Sequence, residues 1–495
     1  MPFSQRRMNC YLILFVPLDV DSPEKQSASN SRQLAMQTLT VSNSLAETLQ
    51  RRRRRLAERV DFPVVLWSGN RSSRNFPANT FPFRASSHFL YFAGVSLANA
   101  AIRLEGGKLT LFMDEPMPDD LLWHGPSPTR QAIAAEIGAA AAYPFSALEQ
   151  QVEGAATLAV QDAATYEQQA KLLARDLALA TQPTGYDLAL AKAIAQIRLV
   201  HDAAALTEIC KAADITVKAQ RAGMAATPIA RQESEVRAAM ESIIMSHGMT
   251  CAYSSIVTVH GEVLHNEQYH HSLEPNDLLL ADVGAETATG WASDVTRTWP
   301  VSGQFSSTQR DLYDVVLAAH DACIAKAQPG MEYRDLHLLA CQVMAEGLVD
   351  LGILQGLPSA LVEQDAHALF FPHGVGHLLG LDVHDMEDLG DLAGYAEGRT
   401  RSDRFGLSFL RLDRPLQAGM AVTIEPGFYQ VPAILQDPER RAKYQDSINW
   451  DRLAQFADVR GIRIEDDVLI TDGGCQVLTA DLPTAAGEIE GLIED

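Results

Sequence analysis

From Leu45 the chain places apolar residues at Leu45, Leu49, Leu56 and Val60, a spacing that predicts a helix with Arg51 to Arg55 on its solvated face. The texture then turns to strands. Val64 to Trp67 ends at Ser68-Gly69-Asn70, and His88-Phe89-Leu90-Tyr91-Phe92, closed by Gly94, reads as another strand. Ala101 to Glu105 and Lys108 to Met113 flank Gly106-Gly107, two alternating runs around a two-glycine loop, which predicts a β-hairpin. After alanine-rich helix, Ala156 to Val160 continues the mixed pattern. Leu206, Ile209, Cys210, Ala213 and Val217 fall on one helical stripe, and Leu312, Val315, Val316, Ala319 and Cys323 repeat that spacing ahead of Pro329-Gly330. Alternating strand and helix runs predict an α/β protein, with an N-terminal domain over residues 41–196 and a larger one over 197–495.

Composition narrows this picture. At 495 residues two unequal domains are expected, and 47% hydrophobic with 21% charged residues excludes wholesale disorder. A net charge of −23 argues against nucleic acid as a partner and is compatible with a cationic group such as a peptide ammonium. The cysteines (Cys10, Cys210, Cys251, Cys323, Cys341 and Cys475) form no C-x-x-C pair and read as reduced thiols of a cytoplasmic protein. No apolar run reaches membrane-spanning length, so no membrane partner is expected. Residues 1–40 read as a disordered extension or a weak targeting segment. Arg6 and Arg7 precede the apolar run Cys10 to Leu18, but Pro17 interrupts it, Asp19 and Asp21 follow it, and Met36 is an alternative start.

The chemistry lies in the second domain. Asp277 to Gly284 is a buried-strand pattern carrying Asp282, and Trp291 to Thr298 reads as a second strand carrying Asp294. A turn over Thr287 to Gly290 would bring the two carboxylates together, and a cation between them is the usual remedy for their repulsion. Phe371 to His377 sets His373 and His377 four apart among small residues. Ala421 to Gly427 delivers Glu425 at the end of an apolar strand. In Gly461 to Asp467, Arg463 and Glu465 share one face, where the arginine can hold the carboxylate ionised. Asp282, Asp294, His377, Glu425 and Glu465 thus form an oxygen-rich set of potential ligands suited to Mn2+, Co2+ or Fe2+. Two bridging carboxylates would hold two ions about 3.5 Å apart around a shared water.

In order and wording these five segments resemble the ligand motifs of the pita-bread metallopeptidase family, which includes methionine aminopeptidase, aminopeptidase P and prolidase. The resemblance covers about residues 198 to 480 and implies a pita-bread catalytic domain, with one extra residue in the Asp282–Asp294 turn. It implies that Asp282 binds one metal, that Asp294 and Glu465 bridge, and that His377 and Glu425 complete the other. His265 in Val263-Leu264-His265-Asn266 matches the histidine beside the bridging water. His373 and His384 resemble the substrate-contacting histidines of the proline-specific branch. Arg74 to Pro77, Phe81 to Arg84 and the stretch to Gly94 resemble a creatinase-like, aminopeptidase P-type N-terminal domain. The long segment between Glu425 and Glu465, and Arg411 in Leu410 to Arg414, look more like prolidase.

The implied function is hydrolysis of the bond between an N-terminal residue and proline, with a strict Xaa-Pro dipeptidase as the alternative. A non-catalytic peptide- or protein-binding module is the remote alternative, and five retained ligands count against it. The resemblance implies two divalent ions, Mn2+ before Co2+, Fe2+ or Zn2+. Glu425 would accept the proton and His265 or His384 would stabilise the oxyanion. His373, Arg411 and Arg463 would contact substrate, and Phe428, Tyr429 or Leu378-Leu379 would receive the prolyl ring. The expected partners are peptides with proline second and further copies of the chain, as a homodimer or homotetramer.

Overall fold

A computed structural model describes residues 44–494, so the readings made for residues 1–40 lie outside the described residues. Helix α1 (Leu45–Ala57) opens with a capping box: Ser44 Oγ accepts from the Glu47 amide and the Glu47 carboxylate accepts from the Ser44 amide. The arginine run is not a solvated face. Arg51 and Arg54 are exposed, but Arg52 and Arg53 are buried. Arg53 donates to the carbonyls of Phe92, Ile137 and Gly138, and Arg55 to that of Ile197. These oxygens close the C-terminal ends of other helices, which leave carbonyls unpaired and carry partial negative charge. Arg52 meets Asp202 in a two-point ion pair.

β1 (Val64–Trp67) follows, then α2 (Ser87–Ala93), β2 (Ala101–Glu105), β3 (Lys108–Phe112), α3 (Arg130–Glu136) and β4 (Ala141–Tyr143). The sheet order is β1-β2-β3-β4, with β2 and β3 forming the expected antiparallel hairpin and β4 joining β3 in parallel. Gly106 and Gly107 both take positive φ, 56° and 77°, as a two-residue hairpin loop of this hand requires. The strand expected at His88 to Phe92 is instead α2. Every residue from Ser87 to Ala93 is buried, so the helix shows no polar face and its apolar run mimics a buried strand. Its end is fixed by Gly94 at φ 71°.

α4 (Gly185–Arg198) packs against α1 and against the short helix Asp391–Gly394. The main buried core therefore runs unbroken from Leu49 to Ile493, across the boundary expected near residue 197. The expected helices appear as α5 (Ala203–Ala226) and α7 (Ser307–Lys326), which pack against α6 (Glu233–Ser246) and α8 (Tyr333–Asp350) respectively. Between them lie β5 (Ile256–Thr258), β6 (Leu278–Asp282) and β7 (Thr296–Pro300) in the order β7-β6-β5. β8 (Ala421–Ile424), β9 (Gly427–Tyr429), β10 (Gly461–Arg463), β11 (Asp466–Thr471) and β12 (Gly474–Val477) follow, with β8-β11-β12 in one sheet and β9 paired to β10. No helix among the described residues is long and apolar enough to cross a membrane.

Candidate metal centre

Asp282 ends β6, opposite Thr296 of β7 in antiparallel register. Asp294 does not lie on that strand as expected; it precedes it by two residues, in an extended stretch tied to the Asp282 segment by Val283 N–H to Val295 O and Ser293 N–H to Ala285 O. Gly284 permits the crossing, because a Cβ there would stand 1.9 Å from the Ser293 carbonyl oxygen. Helix α5 braces both segments from below, Gln220 donating to the Ala281 and Val295 carbonyls.

The second half of the site is built by β8 and β11. Ile424 pairs with Asp466, so the next residues outward on the two strands are Glu425 and Glu465. His377 lies alongside β8 through Thr423 N–H to His377 O and Glu425 N–H to Val375 O. This close approach needs Gly376, where a Cβ would meet Tyr333 Oη at 2.2 Å and Thr423 O at 2.3 Å. Glu465 N–H donates to Thr296 O, which locks the two halves together.

The outcome is one cluster. Ligand atoms of Asp294, His377 and Glu465 all lie within 4.8 Å of one another. His377 Nε2 stands 3.3 Å from Asp294 Oδ2 and 3.6 Å from Glu425 Oε1. Asp282 is joined to Asp294 through the Tyr253 hydroxyl, which reaches Oδ1 of both.

Electrostatically the cluster is unsatisfied. Burial, then the neighbouring Asp282 charge, pushes the Asp294 carboxyl far above the usual carboxylate range. Glu465 is raised likewise by burial and by Asp294, Glu425 and Asp282, and burial pushes Glu425 up to about 7 despite Arg463 and Arg411. Tyr253 has one hydrogen for two carboxylates. Glu465 Oε2 accepts from Thr296 Oγ1 at 2.7 Å, while its buried Oε1 has no hydrogen-bond partner among the described residues. Burial lowers the His377 pKa well below its ordinary value; Nδ1 faces the Leu378 carbonyl at 3.0 Å and is assigned the proton, leaving the Nε2 lone pair aimed at the carboxylates. An orphaned oxygen, mutually repelling acids and a neutral inward imidazole are the donor set that divalent cations complete.

Around this cluster the remaining residues divide. His384 stacks edge-on to His377 at 4.3 Å between ring centroids, with Nδ1 2.6 Å from Glu387 Oε2. Arg411 Nε donates to the other oxygen of Glu387 at 3.1 Å. The His384 hydrogen bond, aided by Arg411, holds the Glu387 carboxyl near 2 against its burial. His265 is exposed; its pKa is lowered first by partial burial and then by Arg463. His373 Nδ1 faces the Gly374 carbonyl and Nε2 the Tyr429 hydroxyl. Arg463, expected to touch substrate and to hold Glu465, instead lies buried beneath the cluster. Its three nitrogens donate to Asp282 Oδ2 (2.5 Å), Thr296 Oγ1 (2.9 Å) and the Tyr429 hydroxyl (2.9 Å), so it reaches Glu465 only through Thr296. Phe428 cannot receive a prolyl ring, being fully buried and stacked on Phe370 at 5.2 Å.

Tyr253, Thr296, Glu387 and Asp467 were not singled out in the sequence. Asp467 accepts from Ser293 Oγ and the Asp294 amide, fixing the backbone under Asp294. Only Asp467 carried a signal, as the third acid of Glu465-Asp466-Asp467.

Comparison with known proteins gives the family. Residues 207–472 match "Metallopeptidase family M24" and residues 49–162 match "Aminopeptidase P, N-terminal domain". The chain belongs to metallopeptidase family M24. Its class within that family is metallo-aminopeptidase, a hydrolase. A probable Xaa-Pro aminopeptidase of Aspergillus clavatus is 31% identical over 463 residues, covering 89% of this chain and 96% of that protein. One of Podospora anserina is 33% identical over 409 residues, covering 80% and 85%. Among solved structures, an alanine variant of Escherichia coli aminopeptidase P in complex with substrate superimposes with a TM-score of 0.75 at 27% identity, over 91% of this chain and 98% of that one. Pseudomonas aeruginosa aminopeptidase PepP gives 0.72 at 28%, with the same coverage.

Proposed function

We propose that the protein is an Xaa-Pro aminopeptidase that works with two divalent cations and releases the residue preceding a second-position proline. The observation that carries this reading is the convergence of Asp294, His377 and Glu465 within 4.8 Å, with Asp282 and Glu425 beside them. Asp282 would bind one ion, Asp294 and Glu465 both, and His377 with Glu425 the other. When bound, such ions lower the pKa of a water from 15.7 toward about 7 and polarise the scissile carbonyl. The oxygen-rich donor set favours Mn2+, with Co2+, Fe2+ and Zn2+ as alternatives.

The chain's own groups do the rest. Glu425 has the most open side chain of the carboxylates in the cluster and is the proton acceptor. His384, with Nδ1 held by Glu387, keeps Nε2 for the developing oxyanion, and His265 approaches from the exposed side. Arg463 acts as a positioning residue that fixes the Asp282 carboxylate. His373 keeps Tyr429 oriented above it. The tertiary Xaa-Pro amide offers no N–H, so its recognition needs no acceptor at that nitrogen.

Arg411 bears on substrate length. As a clamp for a dipeptide's free carboxylate it would have to leave Glu387, which already neutralises it. A cavity of about 460 Å³ also opens from His384 and Glu387 toward Asn70 and Arg84, room for residues beyond the proline. Both favour the aminopeptidase over the strict dipeptidase. Assayed with Mn2+ over Gly-Pro, Gly-Pro-Leu and longer peptides, kcat/KM should rise beyond the dipeptide; hydrolysis confined to Gly-Pro would establish the dipeptidase instead.

The same reading assigns the protein to the cytoplasm, where cysteines such as the buried Cys323 and Cys341, which form no disulfide, would stay reduced. It is read as a homodimer or homotetramer, with an N-terminal domain over residues 41–196 and a catalytic domain over 197–495.

A further inference from the structure

Away from the metal centre, α4 and the segment 391–399 enclose a cavity of about 400 Å³. Its lining combines the apolar Leu199 and Leu392 with three cations, Lys192, Arg399 and Arg414, and two carboxylates, Glu397 and Asp391, the latter paired with Arg401. The cations differ in how they are matched. Arg399 is held by Glu332 and Asp413. Lys192 meets Glu397 in a pair whose side chains are 49% and 89% exposed, an interaction weak enough to be exchanged for another anion. Arg414 faces no carboxylate within salt-bridge distance among the described residues. One of its terminal nitrogens donates to the Ala393 carbonyl at 2.6 Å, and its buried Nε has no hydrogen-bond partner among them.

We propose that this cavity is a binding site for a small organic oxyanion, a carboxylate- or phosphate-bearing molecule whose charge rests on Arg414 and Lys192 and whose apolar body lies on Leu199 and Leu392. A half-buried guanidinium is costly without a counterion, and since Asp391 is taken up by Arg401 and Glu397 by Lys192, an external anion is what would neutralise Arg414. Burial and the adjacent Arg399 charge both lower the Arg414 pKa, as expected for a cation whose compensating anion is missing. The volume exceeds what a bare ion needs and falls in the ordinary range for small-molecule sites, about 300–1,000 Å³. Gln196 supplies a further neutral donor on the exposed side of α4.

The test is calorimetric titration of the metal-loaded protein with N-acetyl-leucine, which has a carboxylate, an apolar body and no free amine, and separately with inorganic phosphate. Two variants decide the site: Arg414→Gln removes the anchor, and Gln196→Glu places a competing carboxylate in the cavity from an exposed helical position. Saturable binding of either probe, weakened tenfold or more in Gln196→Glu while Xaa-Pro hydrolysis is unchanged, supports the site. The probe that binds tells a carboxylate ligand from a phosphate. Should Arg414→Gln fail to fold, Gln196→Glu alone carries the test. No binding of either probe, or equal affinity in Gln196→Glu, overturns the proposal.

Discussion

Glu465 rests one oxygen on the Thr296 hydroxyl and the other on nothing, while Glu425, one strand over, is lifted to about 7 by burial. The two acids differ in access. Glu465 is sealed and Glu425 partly open; on the proposed reading the first holds a cation and the second exchanges a proton with a bound peptide. Glu425→Gln should therefore lower kcat by about 10²–10⁴-fold. The metal-free fold should survive, because the change removes one of several crowded acids; circular dichroism and steady-state kinetics with added Mn2+ check both. Near-native turnover would refute its role. The sequence exposed these acids because each sits where an apolar strand has no use for charge. Tyr253 and Glu387 escaped because nothing local marks them: Tyr253 matters only through Asp282 and Asp294, 29 and 41 residues away, and Glu387 only through its contacts with His384 and Arg411.

Whole elements are joined by buried ion networks. His88 of α2 bonds Asp388, and Arg198 of α4 bonds His88 and Asp385, tying both helices to the segment that carries His384. Burial alone would raise the Asp388 carboxyl, yet His88 and Arg198 hold it near 2. A carboxylate lowered from 3.8 in the unfolded chain contributes stability that is complete above pH 4 and disappears as pH falls through 2. Asp388→Asn should cost about 1–2 kcal/mol at pH 7 and flatten the loss of stability between pH 4 and 2, as read from urea denaturation at several pH values. An unchanged slope would mean that the network holds nothing. At the same scale, α2 forms a helix where the sequence predicts a strand. A helix buried on every side has no period for a sequence to display, and only its glycine cap was visible. Likewise five arginines in a row look like a solvent face until their carbonyl partners, up to 142 residues distant, are known.

At the scale of the molecule, two strand systems must close for the cluster to exist, and bonds such as Glu465 N–H to Thr296 O, Arg463 to Asp282 and Ser293 to Asp467 join them. That closure was legible in outline, since the five motifs together resemble one family, while the cavity behind Arg414 was not, being formed by segments with no shared pattern. Bound ions should make the folded state more stable in proportion to RT ln(1 + [L]/Kd), so chelated protein should melt earlier. The most direct measurement is a titration of chelator-stripped protein with Mn2+, following metal bound and hydrolysis of Gly-Pro-Leu in the same samples. Two equivalents bound, with activity rising to a plateau at the second and absent in Asp294→Ala at every concentration, is the predicted result. Full activity in Asp294→Ala, or stripped protein that stays inert whichever divalent ion is supplied, would contradict it.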